Sequence, residues 1–147
     1  LVLAQYIEKQ LVPLCLMVTE LVDRPVHLIY GATPTEDREK IRKLVEKSVD
    51  SSIILASYGT FSLGVNIKRL HNIVFASPYK SQIKVLQSIG RGLRTAEDKN
   101  VLKVFDISDD LSYNGRENYT LKHFRDRIEI YNKEEFNYEI IPVKLHK

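Results

Sequence analysis

Five short apolar runs set the terms on which this chain can fold: LVLA (1–4), VHLIY (26–30), SIILAS (52–57), NIVFAS (72–77) and VLKVFDI (101–107). None alternates cleanly between apolar and polar, as a strand with one wet face would. Runs of this kind suit strands buried on both faces, which arise where helices cover both sides of a parallel sheet. Helical spacing fills the intervals between them, so the expected architecture is α/β: a parallel sheet with helices on both faces, in a single domain.

The first interval places Leu11, Leu14, Cys15, Val18 and Val22 at helical spacing, and Pro13 is tolerated there if it lies in the first turn. In the second, Thr33-Pro34-Thr35-Glu36 reads as a capping box with proline at the first helical position, followed by Ile41, Leu44 and Val45 on one face. A further helix is expected over 81–93. Beyond Asp106 the polar stretch DISDDLSYNGRENY reads as a surface loop, followed by a helix over 117–133 and a closing strand, YEIIPVKL (138–145). The segment 108–147 is expected to pack on the same domain, which then spans 1–147. Arg116, Lys122, Arg125, Arg127 and Lys133 are interleaved with Glu117, Asp126, Glu129, Glu134 and Glu135, a pattern that reads as a solvated helix face. Asp109-Asp110 reads as a solvated pair in the loop.

The 147 residues are 44% hydrophobic, enough for one sizeable core, and the net charge of +3 permits an anionic partner without demanding one. Cys15 is the single cysteine, so no internal disulfide exists, and a reducing, cytoplasmic setting is expected. No apolar stretch approaches the ~18 residues that span a bilayer, so no membrane association is expected. The chain opens on a strand-like run without methionine, and it is expected to be a fragment of something longer. His27, His71, His123 and His146 are scattered, and no metal site is expected.

Within QSIGRGLR (87–94), Gln87, Arg91 and Arg94 fall at i, i+4 and i+7, one stripe of a helix, while Leu86, Ile89 and Leu93 gather on another side. Gly90 and Gly92 each cost about 1 kcal/mol in a helix interior, a cost that close approach of a backbone or ligand explains. Guanidinium groups suit phosphate, being permanently charged and presenting forked donors. By themselves two such arginines read as a helix face in water. Upstream, however, ASYGTFSLGVNI (56–67) carries two glycines as it leaves a strand end, where α/β sheets place ligand-binding loops.

Strand, SYGTFSLGVNI, strand, polar crossover and QSIGRGLR together resemble the second, RecA-like motor domain of superfamily 2 helicases and translocases, over nearly the whole chain. In that family the glutamine-to-arginine stretch is motif VI, the glycine-bearing segment is motif V, and the opening strand with its helix is similar to motif IV. IYGATPTEDREKI resembles the family's glycine-plus-arginine element before the second helix. The tail HFRDRIEIYNKEEFNYEIIPV is most similar to phage UvsW-type repair and recombination helicases, which favours branched DNA and an infected cell.

The resemblance implies that Arg94 is an arginine finger, that Arg91 is a second arginine directed at the γ-phosphate, and that Gln87 holds the nucleotide or links it to nucleic acid. It places Gly64, Asn66 and Gly90 near the nucleotide, and Ser57, Gly59 and Thr60 at the phosphodiester backbone. Ser57 and Asn66 stand where the family commonly has threonine and aspartate; both can still form hydrogen bonds. An ATPase of this class also needs a GxxxxGK[ST] loop and an acidic Mg²⁺ motif. GTFSLGVN (59–66) has the glycine spacing but offers Val65 and Asn66 where lysine and a hydroxyl residue belong. ATP and Mg²⁺ are therefore expected to be held mainly by an N-terminal lobe outside this chain, with the chain inactive as an ATPase alone and DNA bound through its backbone. Two other readings stand beside this one: a non-catalytic α/β module that binds nucleic acid or protein, and a small self-contained nucleotide-dependent enzyme. The second lacks a phosphate loop, a metal-ligand cluster and a nucleophile paired with a base.

Overall fold

The computed structural model describes residues 1–62, 67, 70–77, 81–92 and 102–144, without the side chains of 62, 82, 83, 91 and 92. In chain order the elements are β1 (Val2–Ala4), α1 (Val12–Leu21), β2 (Val26–Ile29), α2 (Thr35–Lys47), β3 (Ile53–Ser57), α3 (Tyr58–Ser62), β4 (Asn72–Phe75), α4 (Gln82–Gly92), β5 (Lys103–Asp106) and α5 (Tyr119–Lys133). The strands form one parallel sheet in the order β2-β3-β1-β4-β5, so all five apolar runs become strands.

Alternation along the strands divides the core. Leu3, Ile54, Ala56, Ile73 and Phe75 point to one face, where they meet Phe61, Val85, Ile89 and Tyr131, with Ile41 and Val45 packed alongside. Ala4 and Leu55 point to the other, against Leu11, Leu14 and Cys15. Helix α1 thus covers one face and α2 to α5 the other. Coverage on the α1 side reaches β2, β3 and β1 but not the edge strand β5, where Phe105 is half exposed. The reading of every run as buried on both faces therefore holds for the central strands and fails at β5.

A π-helical turn, Ile7–Leu11, wider than an α-helical one, leads into α1, and the Gln10 side-chain oxygen accepts the backbone N–H groups of Gln5 and Tyr6. Pro13 lies in the first turn of α1, as its missing N–H requires.

At α2 the capping box does not form. The helix begins at Thr35 with Pro34 as its cap residue, and the Thr33 hydroxyl accepts the Tyr30 N–H at 3.0 Å instead of capping the helix. Arg38 holds the same turn against the strand end, its guanidinium donating to the Thr33 carbonyl (2.8 Å) and the Gly31 carbonyl (2.9 Å). Leu44, expected on the buried face, is half exposed; Ile41 and Val45, four apart, make the core contact.

The closing strand is also absent among the described residues. Residues 137–144 are irregular, and Ile140, Ile141 and Val143 are exposed. Adjacent isoleucines break the period-two pattern and Pro142 has no ladder donor, so the segment has neither a single apolar face nor a full set of pairing groups. Before it, Phe136 turns back onto Tyr131, and α5 packs through Ile128 and Tyr131 on the core. No described helix is long and apolar enough to cross a membrane.

Candidate nucleotide and nucleic-acid interface

Strand β3 passes into α3 without a loop, so Ser57, its last residue, stands at the carboxyl end of the sheet. Its Oγ accepts the Thr60 N–H (3.3 Å) and shares a 2.8 Å hydrogen bond with the Thr60 hydroxyl. Thr60 is buried by this arrangement, whereas Gly59 is exposed, and no described atom lies within 4 Å of where its Cβ would be. Of the three residues expected at a phosphodiester backbone, Gly59 faces outward, Ser57 is half-buried, and Thr60 supports Ser57 from behind.

The turn is braced across the sheet. Tyr58 donates its hydroxyl proton to the Ser77 carbonyl (3.0 Å), and its ring stacks on Phe75 at a centroid distance of 6.1 Å. The buried Ser77 hydroxyl in turn accepts the Gln5 N–H at 2.9 Å. Segments leaving β1, β3 and β4 are joined by these contacts.

Helix α4 packs beside α3, with Val85, Ser88 and Ile89 buried and Gln87 and Gly90 exposed. No described atom lies within 4 Å of a Cβ built on Gly90. The Arg91 backbone lies one helical turn beyond Gln87; its side chain is not described, and Arg94, Gly64 and Asn66 lie outside the described residues. Among the basic side chains, Lys84 on α4 is half-buried, and Lys122 and Arg125 on α5 are exposed.

One reading of the tail is overturned. Arg127, taken with its basic neighbours as part of a solvated face, is 1% exposed. Its Nε and Nη2 donate to the two oxygens of Asp106, both at 2.6 Å, and the Tyr131 hydroxyl donates to the same carboxylate at 2.8 Å. Burial opposes the guanidinium charge, but the bonds to Asp106 and its field more than offset this, so the Arg127 pKa is raised. Burial, reinforced by Asp106, pushes the Tyr131 phenol well above its ordinary value. The signal was in the spacing: Phe124, Arg127, Ile128 and Tyr131 fall at i, i+3, i+4 and i+7, an apolar stripe with one arginine in it. Arg125 does lie on the exposed side, paired with Glu117 at 2.5 Å.

His27, on β2, is half-buried, its Nε2 makes no hydrogen bond among the described residues, and burial pushes its pKa down. Among the described residues no three His, Cys, Asp or Glu side chains gather into a metal site.

Residues 1–96, the span from β1 through the QSIGRGLR segment, match the model of the helicase conserved C-terminal domain. The chain belongs to that family. This helicase C-terminal domain is 39% identical over 130 residues to the ATP-dependent DNA helicase UvsW of Enterobacteria phage T4, an alignment covering 82% of this chain and 26% of that protein. The chain thus spans about a quarter of the length of that relative. Its fold is that of domain 2 of the DEAD-box helicase Mss116p bound to an RNA duplex (TM-score 0.65, 18% identity, covering 92% of this chain and 47% of that one). The C-terminal domain of the DEAD-box protein Dbp5 gives a TM-score of 0.63 at 12% identity, over 90% of this chain and 68% of that one. The sheet is RecA-like, and the domain is of the superfamily 2 type expected from its motifs.

Proposed function

We propose that this domain is the second motor lobe of an ATP-dependent superfamily 2 DNA helicase or translocase acting on branched or duplex DNA. The observation that carries the proposal is the packing of α3, which opens on Tyr58-Gly59-Thr60 directly after Ser57 at the end of β3, against α4, which presents Gln87 and Gly90 outward. Motifs V and VI are therefore neighbours, as a machine that couples a nucleotide to nucleic acid needs.

ATP bound by a partner N-terminal lobe would meet this domain at the motif VI helix. Residues here fit a triphosphate: Gln87 is exposed, and the open space over Gly90 lets a ligand approach the backbone. In this reading Arg91 and Arg94 would supply guanidinium groups to the phosphates, Gln87 would hydrogen-bond the nucleotide or relay its presence to the DNA side, and Gly64 and Asn66 would contribute to holding the nucleotide. Mg²⁺ is held by the other lobe. When bound, the nucleotide and its metal supply the phosphoryl transfer, whose developing charge positioned arginines stabilise.

On the nucleic-acid side, Gly59 and Ser57 offer a backbone N–H and a hydroxyl to phosphate oxygens, with Thr60 fixing the serine. Such contacts position the duplex and carry no sequence information, as a translocase requires. In the protein carrying both lobes, Ser57→Ala is expected to raise the Kd for duplex DNA about two- to tenfold, the loss of roughly one hydrogen bond. The increase is equal for unrelated sequences, and the salt dependence keeps its slope because no charge is removed. Unchanged affinity, or a loss confined to particular sequences, counts against the assignment.

A further inference from the structure

We infer that Arg127 is a positioning residue of the motor: by clamping α5 to the end of β5 it fixes the brace that holds the Ser57-Thr60 turn. The inference rests on the proposed role of that turn in DNA contact.

The clamp lies behind the turn. Asp106 ends β5 in register with Phe75 of β4, and the Phe75 carbonyl accepts the Ile107 N–H at 3.1 Å. The Phe75 ring stacks on Tyr58, the residue next to Ser57, and Tyr58 holds the Ser77 carbonyl. A short path of contacts therefore runs from α5 through Asp106, Phe75 and Tyr58 to Ser57.

Stability alone is a poor reason for this pair. Burying two charges is costly, the buried Arg127 Nη1 has no hydrogen-bond partner among the described residues, and apolar side chains of similar volume often serve as well or better. What an apolar pair lacks is direction. Two parallel N–H···O bonds, with the Tyr131 hydroxyl as a third contact, fix the carboxylate and guanidinium in one relative orientation. Arg127 also lies 5.9 Å from the Phe124 ring centroid, which fixes it along its own helix. The end of β5 and the helix are thereby held in a single register.

The test uses the protein carrying both lobes, with three readouts: melting temperature, KM for ATP, and the concentration of duplex DNA that half-maximally stimulates ATP turnover. The paired replacement Asp106→Leu with Arg127→Met keeps the volume and removes the directional bonds. Its KM for ATP is expected to stay near wild type, while its melting temperature falls by about a few degrees because the buried Tyr131 hydroxyl loses its acceptor. The half-stimulating DNA concentration is expected to rise about threefold to thirtyfold, the range by which residues without ligand contact alter coupling. Arg127→Lys, which keeps the charge and part of the bonding, is expected to fall between the two, and it carries the test if the paired variant does not fold. Wild-type DNA dependence in whichever variant folds overturns the inference. If Ser57→Ala weakens DNA binding while the clamp variants do not, the clamp inference alone fails; if Ser57→Ala is also silent, the reading of the turn fails with it.

Discussion

Replacing Arg94 with alanine in the protein carrying both lobes is expected to lower the single-turnover rate of ATP hydrolysis by roughly 10³- to 10⁵-fold while the Kd for ATP changes by no more than a few-fold. The asymmetry follows from when the interaction is made. Negative charge accumulates on the transferring phosphoryl group and its leaving oxygen only as the bond breaks, and a guanidinium fixed beside them stabilises that state more than the ground state. On the proposed reading, binding of ATP depends mainly on the phosphate loop and metal of the other lobe. Arg94→Lys is expected to recover little, because an ammonium is a point charge that does not reproduce the planar fork. Comparing quenched single turnovers with nucleotide binding separates the two effects; a turnover rate unchanged by the alanine substitution rejects the finger role.

The second large effect is on stability. Arg127→Ala leaves the Asp106 carboxylate almost fully enclosed without its bidentate partner and opens a cavity beside Phe124. Breaking one side of a buried pair costs about 3–5 kcal/mol, and for a domain near 150 residues this corresponds to a drop of roughly 10 °C or more in Tm. Differential scanning calorimetry of the 147-residue chain measures it directly. Alanine at Arg125, whose side chain is 65% exposed and paired with Glu117 at the surface, is the internal control and is expected to shift Tm by little, since exposed pairs contribute about 0–1 kcal/mol. Equal melting of the two variants contradicts the assignment of Arg127 as a buried clamp.

The two arginines also show where a sequence is legible and where it is not. Strand positions were plain because a run buried on both faces needs consecutive apolar side chains, which few other structures demand; NIVF and SIILAS could hardly be anything else. Edges were less plain. Nothing in VLKVFDI says that α1 stops short of it, since coverage depends on the placement of a helix some 80 residues earlier. Local hydrogen-bond competition defeated the capping box, where the Thr33 hydroxyl accepts the Tyr30 N–H and not a donor of the helix start. Arg127 was misread because its charge was weighed against the acids beside it in sequence and not against the apolar residues three and four positions away. Asp106, its partner, lies 21 residues earlier at the end of an apolar strand, and only the folded sheet brings them together. Of the rest, the family was readable, because residues 1–96 carry the residue order of the helicase conserved C-terminal domain. The brace from Tyr58 through Ser77 to Gln5 was not, because two of its links are backbone groups with no sequence signature.

ATP turnover by the 147-residue chain alone, compared with the same chain joined to a lobe that carries a phosphate loop, tests the central claim most directly. Half of a two-lobed motor is predicted to hydrolyse ATP no faster than buffer, with or without duplex DNA, and the joined protein to show DNA-stimulated turnover that depends on Arg94. Robust, DNA-stimulated hydrolysis by the chain alone would contradict the account.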